Sequence, residues 1–328
     1  MSVSFPNSPE TARGHRRSGA DRAWAALAAY RDAFTCYSAA VAASSALSRP
    51  DWRDTIDLRL TLALTGEPAG LFGFAHFAPG FAGRVRLARA GTDSADEALD
   101  RITAALRRAE PVVIAGDARW LPWQHARESA PHWFTVVAHP EGVEVLDALA
   151  MRTAHGEQRP TRTVVPIGDL PGLLLSVPVG DPVFALRERF ALGDDAGPPV
   201  HRYRWAEIGD GPVGPAPQGI RGPDALRVLA RHFREHATEP DAYRQVDDLW
   251  SVARHRACAV RRAAELGPGS HDWTQRYGRE LDRRWAQVAP RAMYAAMSGG
   301  AGAPALSDLL DDLAELEQSA APQLGGST

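Results

Sequence analysis

The chain has 328 residues, of which 45% are hydrophobic, so it is long enough for two domains and apolar enough to build a full core. Its formal net charge of -3 gives no electrostatic case for nucleic acid or an acidic surface as a partner. The basic residues are all arginines, so no lysine is present for a Schiff base or a phosphate-binding P-loop.

The cysteine count and the N-terminal residues bear on the cellular compartment. Cys36 and Cys258 are too few for a disulfide framework or a cysteine-rich zinc site. The start of the chain, MSVSFPNSPETARGHRRSGADR, has no apolar stretch like that of a signal peptide, and no run of 18 apolar residues occurs. We therefore expect a cytoplasmic protein without a membrane partner.

The first elements follow from composition and helical spacing. Residues 1–20 are polar and rich in Pro, Ser and Arg, which predicts a disordered tail. Small and apolar residues then recur at helical spacing, which predicts a helix with Cys36 near its N-terminus and YSAAVAASSAL as its body. TGEPAGLFGFAHFAPGFAGRVRL is rich in Gly and Phe and predicts a loop or short strands. Ser94 and Glu97 have capping-box spacing at the start of a further helix.

The middle of the chain reads as strands. PVVIAGD predicts a buried strand, and HWFTVVAHPEGVEVLDAL predicts a hairpin that turns near Pro140 and Gly142. RTVVPIGDLPGLLLSVPV predicts one or two more strands. We therefore expect an α+β protein. A catalytic domain at 21–190 should be followed by a Pro/Gly-rich linker at 191–222, an α-helical domain at 223–318 and a disordered tail at 319–328.

Cys36 is the candidate nucleophile. A helix N-terminus favours a thiolate through its N–H groups and dipole, and a neighbouring imidazolium adds to this effect. The sequence AFTCYSAAVAA fits that placement. The alternative is that Cys36, like Cys258 within its helical pattern, is a small buried apolar side chain.

His132 and Asp147 stand at the open end of the predicted hairpin, which makes them cross-strand neighbours. In a cysteine triad, the His takes the thiol proton and the acid orients the imidazole. Alternatively, His132 is a surface residue and Asp147 a local cap. His125 and His139 are competing bases, although His139 looks like a turn residue, and Asp117 is a competing acid.

The order of these motifs resembles papain-like cysteine enzymes. The hairpin is similar to the His-to-Asp segment of the double-glycine leader peptidases. The closer resemblance is to the family of butirosin biosynthesis protein H, carried by FTCYSAA, PVVIAGDARWLPW, PHWFTVVAHPEG and VEVLDAL, with LWSVARHRACAVRRAAELGPGSHDWTQRYGRELDRRWAQVA similar to its helical second domain. The resemblance covers most of residues 25–300 and implies a papain-like domain followed by an α-helical domain.

The resemblance also implies a function. Members of that family move an acyl group from an acyl carrier protein thioester to an amine of a small natural product. Cys36, His132 and Asp147 would then be nucleophile, base and orienting acid, and first-turn N–H groups would stabilise the oxyanion. The expected partners are an acyl carrier protein and a small amine or hydroxyl acceptor in antibiotic biosynthesis, with no cofactor or metal, and with a homodimer left open.

Two departures from the family pattern concern oxyanion binding and specificity. Thr35 and Tyr37 flank the Cys where the family tends to have smaller or different residues, which leaves acyl and acceptor specificity open. Papain-like enzymes often place a Gln shortly before the Cys, but AAYRDAFTC has none. Aromatic side chains near the motifs are candidates to line the substrate site, although such stripes are often core. The candidate substrate-binding residues are Tyr37, Phe72, Phe74, Phe77, Trp120 and Trp133.

Several alternatives remain open at this point. The same triad serves a thioesterase, cyclase or amidase, and a non-catalytic scaffold that binds a carrier protein is the alternative from another class. The segment HFREH places His232 and His236 at a zinc-ligand spacing but lacks the glutamate of the His-Glu-x-x-His motif. Arg-rich segments such as RHRACAVRR fit docking to an acidic carrier or, more simply, solvated helix faces.

Overall fold

The structure is a computed structural model, and it describes residues 19–49, 52–55, 62–67, 70–75, 86–126, 128–153, 156–174, 181–192, 201–209, 219–265 and 277–320. The predicted tails at 1–20 and 319–328 lie largely outside these ranges. Gly19 and Ala20 begin a helix, and residues 319 and 320 end the last one, so these four positions correct the predicted tail boundaries.

The helices and strands are numbered in chain order. The helices are α1 (Gly19–Leu27), α2 (Cys36–Ser48), α3 (Ala95–Arg107), α4 (Leu170–Leu173), α5 (Pro182–Leu192), α6 (Gly222–Glu235), α7 (Val246–Glu265), α8 (Arg279–Met297) and α9 (Ala303–Ala320). The strands are β1 (Ala63–Gly66), β2 (Phe72–Phe74), β3 (Arg86–Thr92), β4 (Val112–Asp117), β5 (Pro131–His139), β6 (Gly142–Asp147), β7 (Met151–Thr153), β8 (Gly156–Gln158), β9 (Thr161–Val165), β10 (Tyr203–Gly209) and β11 (Ile220–Arg221).

The chain divides into two compact units, and strands and helices occur in both. The first unit contains residues 1–57 and 78–214, and the second contains 58–77 and 215–328. The α+β class is thus confirmed. The predicted catalytic domain, 21–190, differs from the first unit because residues 58–77 group with the C-terminal helices.

The first unit is built on a six-stranded antiparallel sheet in the order β3-β10-β4-β5-β6-β9. Strand β4 is buried along its whole length, and its alternate residues serve two cores. Val112 and Ile114 pack with α3 residues such as Ile102, whereas Val113 and Ala115 face the cluster that includes Val41 of α2. Helix α2 is therefore held against the sheet by small apolar residues, and this packing fixes the position of Cys36.

The linker predicted at 191–222 is wrong in its central part. Residues 203–209 form β10, which pairs with β3 on one side and β4 on the other. Tyr203 and Trp205 pack with one core, while Arg204 points to the opposite face and is buried. The sequence did not predict β10 because its arginine interrupts the apolar alternation typical of a strand, and because Pro and Gly flank the segment.

The second unit combines the predicted helices α6–α9 with the three-stranded sheet β11-β1-β2. The side-chain amide of Gln245 binds the backbone of Phe72 on both sides, accepting from its N–H at 2.8 Å and donating to its carbonyl at 2.7 Å. The Gln245 amide thus provides hydrogen-bond partners for the Phe72 backbone N–H and carbonyl, as a neighbouring strand would. Across the ranges that the structure describes, no helix is both long and apolar enough to cross a membrane.

Candidate active site

Cys36 is the first residue of α2, and the residues around it explain why the helix begins there. Thr35 is the extended N-cap: its hydroxyl accepts the Ser38 N–H at 3.4 Å, and the Ser38 hydroxyl accepts the Thr35 N–H at 2.8 Å. This reciprocal capping box holds the first turn. The N–H groups of Cys36 and Tyr37 belong to that turn, where no intrahelical acceptor exists. The half-buried thiol therefore lies at the positive end of the α2 dipole.

Strand pairing places His132 and Asp147 at the same end of the β5–β6 hairpin. Thr135 pairs with Leu146, so Asp147 comes opposite Phe134 and one diagonal step from His132. Nε2 of His132 lies 2.7 Å from Oδ2 of Asp147, and each residue is only 1% exposed. The two side chains that the sequence predicts as neighbours are hydrogen-bonded to each other in a site without water access.

Cys36 completes the arrangement on the other side of the imidazole. The Cys36 sulfur interacts with the His132 imidazole and raises its pKa. Because Asp147 binds Nε2, the ring nitrogen left for the thiol is Nδ1. Thiol, imidazole and carboxylate thus follow one another in the order that a cysteine triad requires.

The pKa of His132 is set by opposing effects of burial and charge. Burial lowers this pKa, whereas the Asp147 carboxylate and the Cys36 sulfur raise it through charge and hydrogen bonds. Charge and hydrogen bonding prevail, and the pKa of His132 rises to about 10. The imidazole is therefore protonated at neutral pH, and an imidazolium in contact with a thiol stabilises the thiolate form.

Trp123 and Gln124 are site residues that the sequence reasoning missed. The indole N–H of Trp123 donates to Oδ2 of Asp147 at 2.9 Å, and the side-chain amide of Gln124 donates to the same oxygen at 2.8 Å. The backbone N–H of Leu149 donates to Oδ1 at 3.2 Å. The available signal was the position of Trp-Gln in ARWLPWQ, in the turn that returns from β4 to the strand carrying His132.

Gln124 does not replace the glutamine that papain-like enzymes place before the cysteine. Its amide nitrogen lies 3.2 Å from Nε2 of His132, so it is on the Asp147 side of the ring and away from Nδ1. An oxyanion donor must instead lie beside the nucleophile. Among the residues described, the first-turn N–H groups at Cys36 and Tyr37 have that position.

The competing base and acid candidates have other environments. The Asp117 carboxylate accepts the Arg119 N–H at 3.0 Å, within the turn that follows β4. Nδ1 of His139 accepts the Glu141 N–H at 3.2 Å, and His139 is the last residue of β5, paired with Gly142, rather than a residue of the turn itself. His125 is exposed. The partner of Asp147 at this site is therefore His132.

Tyr37 and Trp133, predicted as substrate contacts, pack inside the protein. Both residues are buried, with their ring centroids 5.4 Å apart, and both belong to the core beneath α2. Trp120 differs: it is 58% exposed, and the Arg119 guanidinium lies over its ring at 5.0 Å. Trp120 therefore stays a candidate contact residue, since an exposed indole is available to a ligand.

The other predicted aromatic contacts fall elsewhere. Phe72 and Phe74 lie on β2 of the second unit. Phe74 is buried, which corrects its assignment to a substrate site, and Phe72 packs edge-on against His232 with 5.0 Å between ring centroids. Phe77 lies outside the described residues.

The histidine pair of the HFREH segment has contacts of its own. The rings of His232 and His236 are 5.1 Å apart, and Nδ1 of His236 lies 3.0 Å from Oε1 of Glu239. Within the ranges that the structure covers, no group of three or more His, Cys, Asp or Glu residues is placed to hold a metal ion. Cys258 is buried in α7, as expected for a structural thiol.

Comparison of the sequence with protein-family models and with curated proteins gave no match in either case. Function is therefore inferred from the geometry of this site and from the resemblance of the sequence motifs.

Proposed function

We propose that the protein is a papain-like cysteine acyltransferase that moves an acyl group from an acyl carrier protein thioester to an amine or hydroxyl of a small molecule. The observation that carries the proposal is the buried 2.7 Å contact between His132 and Asp147, with the Cys36 sulfur interacting with the same imidazole. The resemblance of the ordered motifs supplies the acyl donor class and the setting in natural-product biosynthesis.

The first half-reaction forms an acyl-enzyme. The Cys36 thiolate attacks the thioester carbonyl, and the first-turn N–H groups of α2 stabilise the oxyanion. As the tetrahedral intermediate collapses, the bond to the carrier sulfur breaks and His132 gives its proton to the departing thiolate. The high pKa of His132 supports this step because the imidazole holds that proton at neutral pH.

The second half-reaction transfers the acyl group. The acceptor amine attacks the Cys36 thioester, and the now neutral His132 takes the proton from the amine nitrogen. Collapse of the second tetrahedral intermediate breaks the bond between carbon and Cys36 sulfur, which returns the thiolate and releases an amide. Asp147 stabilises the imidazolium in both halves without being protonated itself.

The test is intact-protein mass spectrometry after incubation with a panel of acyl-pantetheine thioesters. Wild type should gain the mass of one acyl group, whereas Cys36→Ala and His132→Ala should not. Cys258→Ala is the matched control, since Cys258 lies in the second unit and should leave acylation intact. Addition of amines then separates transfer, which yields an amide, from hydrolysis or cyclisation.

The opposite result is equally specific. If no thioester in a broad panel acylates the wild type, and iodoacetamide also leaves Cys36 unmodified in the folded protein, the nucleophile assignment fails. A carrier-binding scaffold would then be the better interpretation, and Cys36→Ala would leave carrier binding unchanged.

A further inference from the structure

We propose that Trp123 and Gln124 are positioning residues of this site: together they hold the Asp147 carboxylate in one orientation, directed at His132. The proposal rests on the Cys36–His132–Asp147 arrangement of the proposed function. Neither residue is assigned a contact with substrate. Both act through Asp147, and both come from the turn between β4 and β5 rather than from the hairpin that carries the pair.

The hydrogen bonds at Asp147 carry the proposal. Oδ2 receives three N–H donors, from His132 at 2.7 Å, Gln124 at 2.8 Å and Trp123 at 2.9 Å. Oδ1 receives the Leu149 N–H at 3.2 Å. A carboxylate offers about four lone-pair sites, so protein donors supply most of the hydrogen bonds that this buried group can accept. Donors that come from several directions fix the rotation of the carboxylate.

The orientation of Gln124 indicates that its function is directed at Asp147. If the amide were flipped, its oxygen would lie 2.8 Å from the Asp147 oxygen, and two acceptors would repel each other. In the observed orientation, Oε1 of Gln124 is buried without a hydrogen-bond partner among the described residues. Such an unsatisfied atom is unfavourable, so the hydrogen bond to Asp147 is what stabilises this orientation of the amide.

The surrounding structure fixes both donors. The Trp123 ring packs edge-on against Phe134, with ring centroids 5.3 Å apart and an interplanar angle of 87°. The Gln124 backbone donates to the Leu121 carbonyl at 3.0 Å and forms an isolated bridge with Gln158. Neither side chain can follow Asp147 if the carboxylate rotates, so they hold it at one rotation about its Cβ–Cγ bond.

Removal of either donor has a predictable effect on pH dependence. A carboxylate that is no longer held in one direction stabilises the His132 imidazolium less, because the charge and the hydrogen bond of Asp147 are what raise the pKa of His132. The imidazolium then gives less support to a thiolate at Cys36. The acid side of the Cys36 reactivity profile should therefore move to higher pH, while reactivity at alkaline pH changes little.

The experiment is the rate of Cys36 alkylation by iodoacetamide between pH 4 and pH 9, followed by mass spectrometry with the adduct localised to a peptide. Trp123→Phe keeps an aromatic ring and removes the indole N–H donor. Gln124→Met keeps the length of the side chain and removes the amide donor. We expect each to raise the acid midpoint by about one pH unit. Gln124→Glu should raise it further, because a second carboxylate beside Asp147 competes for ionisation.

The matched control is Gln158→Met. Gln158 is the bridge partner of Gln124, and its Oε1 is also buried without a partner in the described residues. Its side chain does not donate to Asp147, so its profile should superimpose on that of the wild type. A comparable shift in this control would mean that general loosening of the turn, and not loss of a donor, is being measured.

The outcomes separate this proposal from the proposed function. If wild type and His132→Ala both react like an ordinary thiol, with a midpoint near pH 8.5, the triad itself is wrong and the positioning role is lost with it. If His132→Ala abolishes a low wild-type midpoint while Trp123→Phe and Gln124→Met leave it unchanged, the triad stands and the positioning role is overturned. Should Gln124→Met not fold, Trp123→Phe decides alone.

Discussion

Nε2 of His132 lies 2.7 Å from Oδ2 of Asp147, although the two residues are not paired across the hairpin. The register places Asp147 opposite Phe134, so the carboxylate reaches diagonally along the strand to the imidazole. The diagonal arrangement leaves room beside Asp147 for the donors of the β4–β5 turn. It also leaves Nδ1 of His132 directed away from the hairpin partner, towards Cys36.

The His132–Asp147 pair should make stability fall as pH rises. The pKa of His132 is about 10 in the folded protein and about 6.5 when unfolded, so the folded state binds an extra proton between these values. The stabilisation is fully present below about pH 6.5 and is lost as pH rises through about 10. The free energy of unfolding should decrease by up to about 1.4 kcal/mol per pH unit in this window.

Urea denaturation of wild type and Asp147→Asn at pH 6, 8 and 10 measures this effect. Asn keeps the size of the side chain but removes the charge, so the variant should be less stable at pH 6 and should show a much shallower slope. His139→Gln, at the half-buried end of β5, is the control and should keep the wild-type slope. Equal slopes for wild type and Asp147→Asn would show that the two residues do not titrate as a pair.

The hairpin and the Cys36 helix could be predicted because their signals are local. Alternating apolar residues, a turn with Pro140 and Gly142, and a hydroxyl before Cys36 each act within a few positions of the chain. Strand pairing then follows from the turn, and with it the proximity of His132 and Asp147. The sequence could predict this pair since both members lie on one local element.

Gln124 and Arg204 could not be predicted because their environments are created by tertiary contacts. Gln124 reaches Asp147 only after β4 pairs with β5, and Arg204 is buried only because β10 inserts between β3 and β4. A polar residue in a Pro- or Gly-rich segment indicates a loop when it is read locally. Arg204 can be buried because it pairs with Glu188, and Glu188 lies on a different element, α5.

The Thr35 cap should contribute measurably to stability and to the reactivity of Cys36. Thr35→Ala removes the hydroxyl that accepts the Ser38 N–H and should cost about 1 kcal/mol in the free energy of unfolding. Fraying of the first turn should also slow alkylation of Cys36, because the N–H groups near the thiolate lose their fixed direction. Thr35→Ser keeps the hydroxyl and should behave like the wild type in both measurements. Unchanged stability in Thr35→Ala would contradict the role of the capping box.

Gly142 should be intolerant of any side chain. Its φ is +151°, and a Cβ atom there would lie 2.2 Å from the Val165 carbonyl oxygen on β9. Backbone atoms on both sides cannot move without breaking the β6–β9 pairing, so Gly142→Ala should destabilise by about 2 kcal/mol or more. Gly168→Ala, where a Cβ would have open space, should be close to neutral in thermal denaturation. A similar melting temperature for the two variants would contradict the close approach of β6 and β9.

The buried ion pair of Arg204 and Glu188 should respond asymmetrically to the loss of either partner. Nη1 of Arg204 donates to Oε1 of Glu188, and Nη1 of Arg89 lies 3.9 Å from Oε2 of the same carboxylate. Burial raises the pKa of Glu188, while both arginines oppose that shift. If one arginine is removed, the Glu188 carboxylate still has the other arginine as a counter-ion. If the carboxylate is removed, both arginines lose the counter-ion that they share in the core.

We therefore expect Glu188→Leu to cost about 3–5 kcal/mol in the free energy of unfolding and Arg204→Met to cost less. The double variant should recover much of the loss, because apolar side chains of similar size need no partner. Urea denaturation of the two single variants and the double variant forms a complete cycle. Additive losses would show that the pair is uncoupled, and a larger loss for Arg204→Met would show that Arg89 does not share the charge of Glu188.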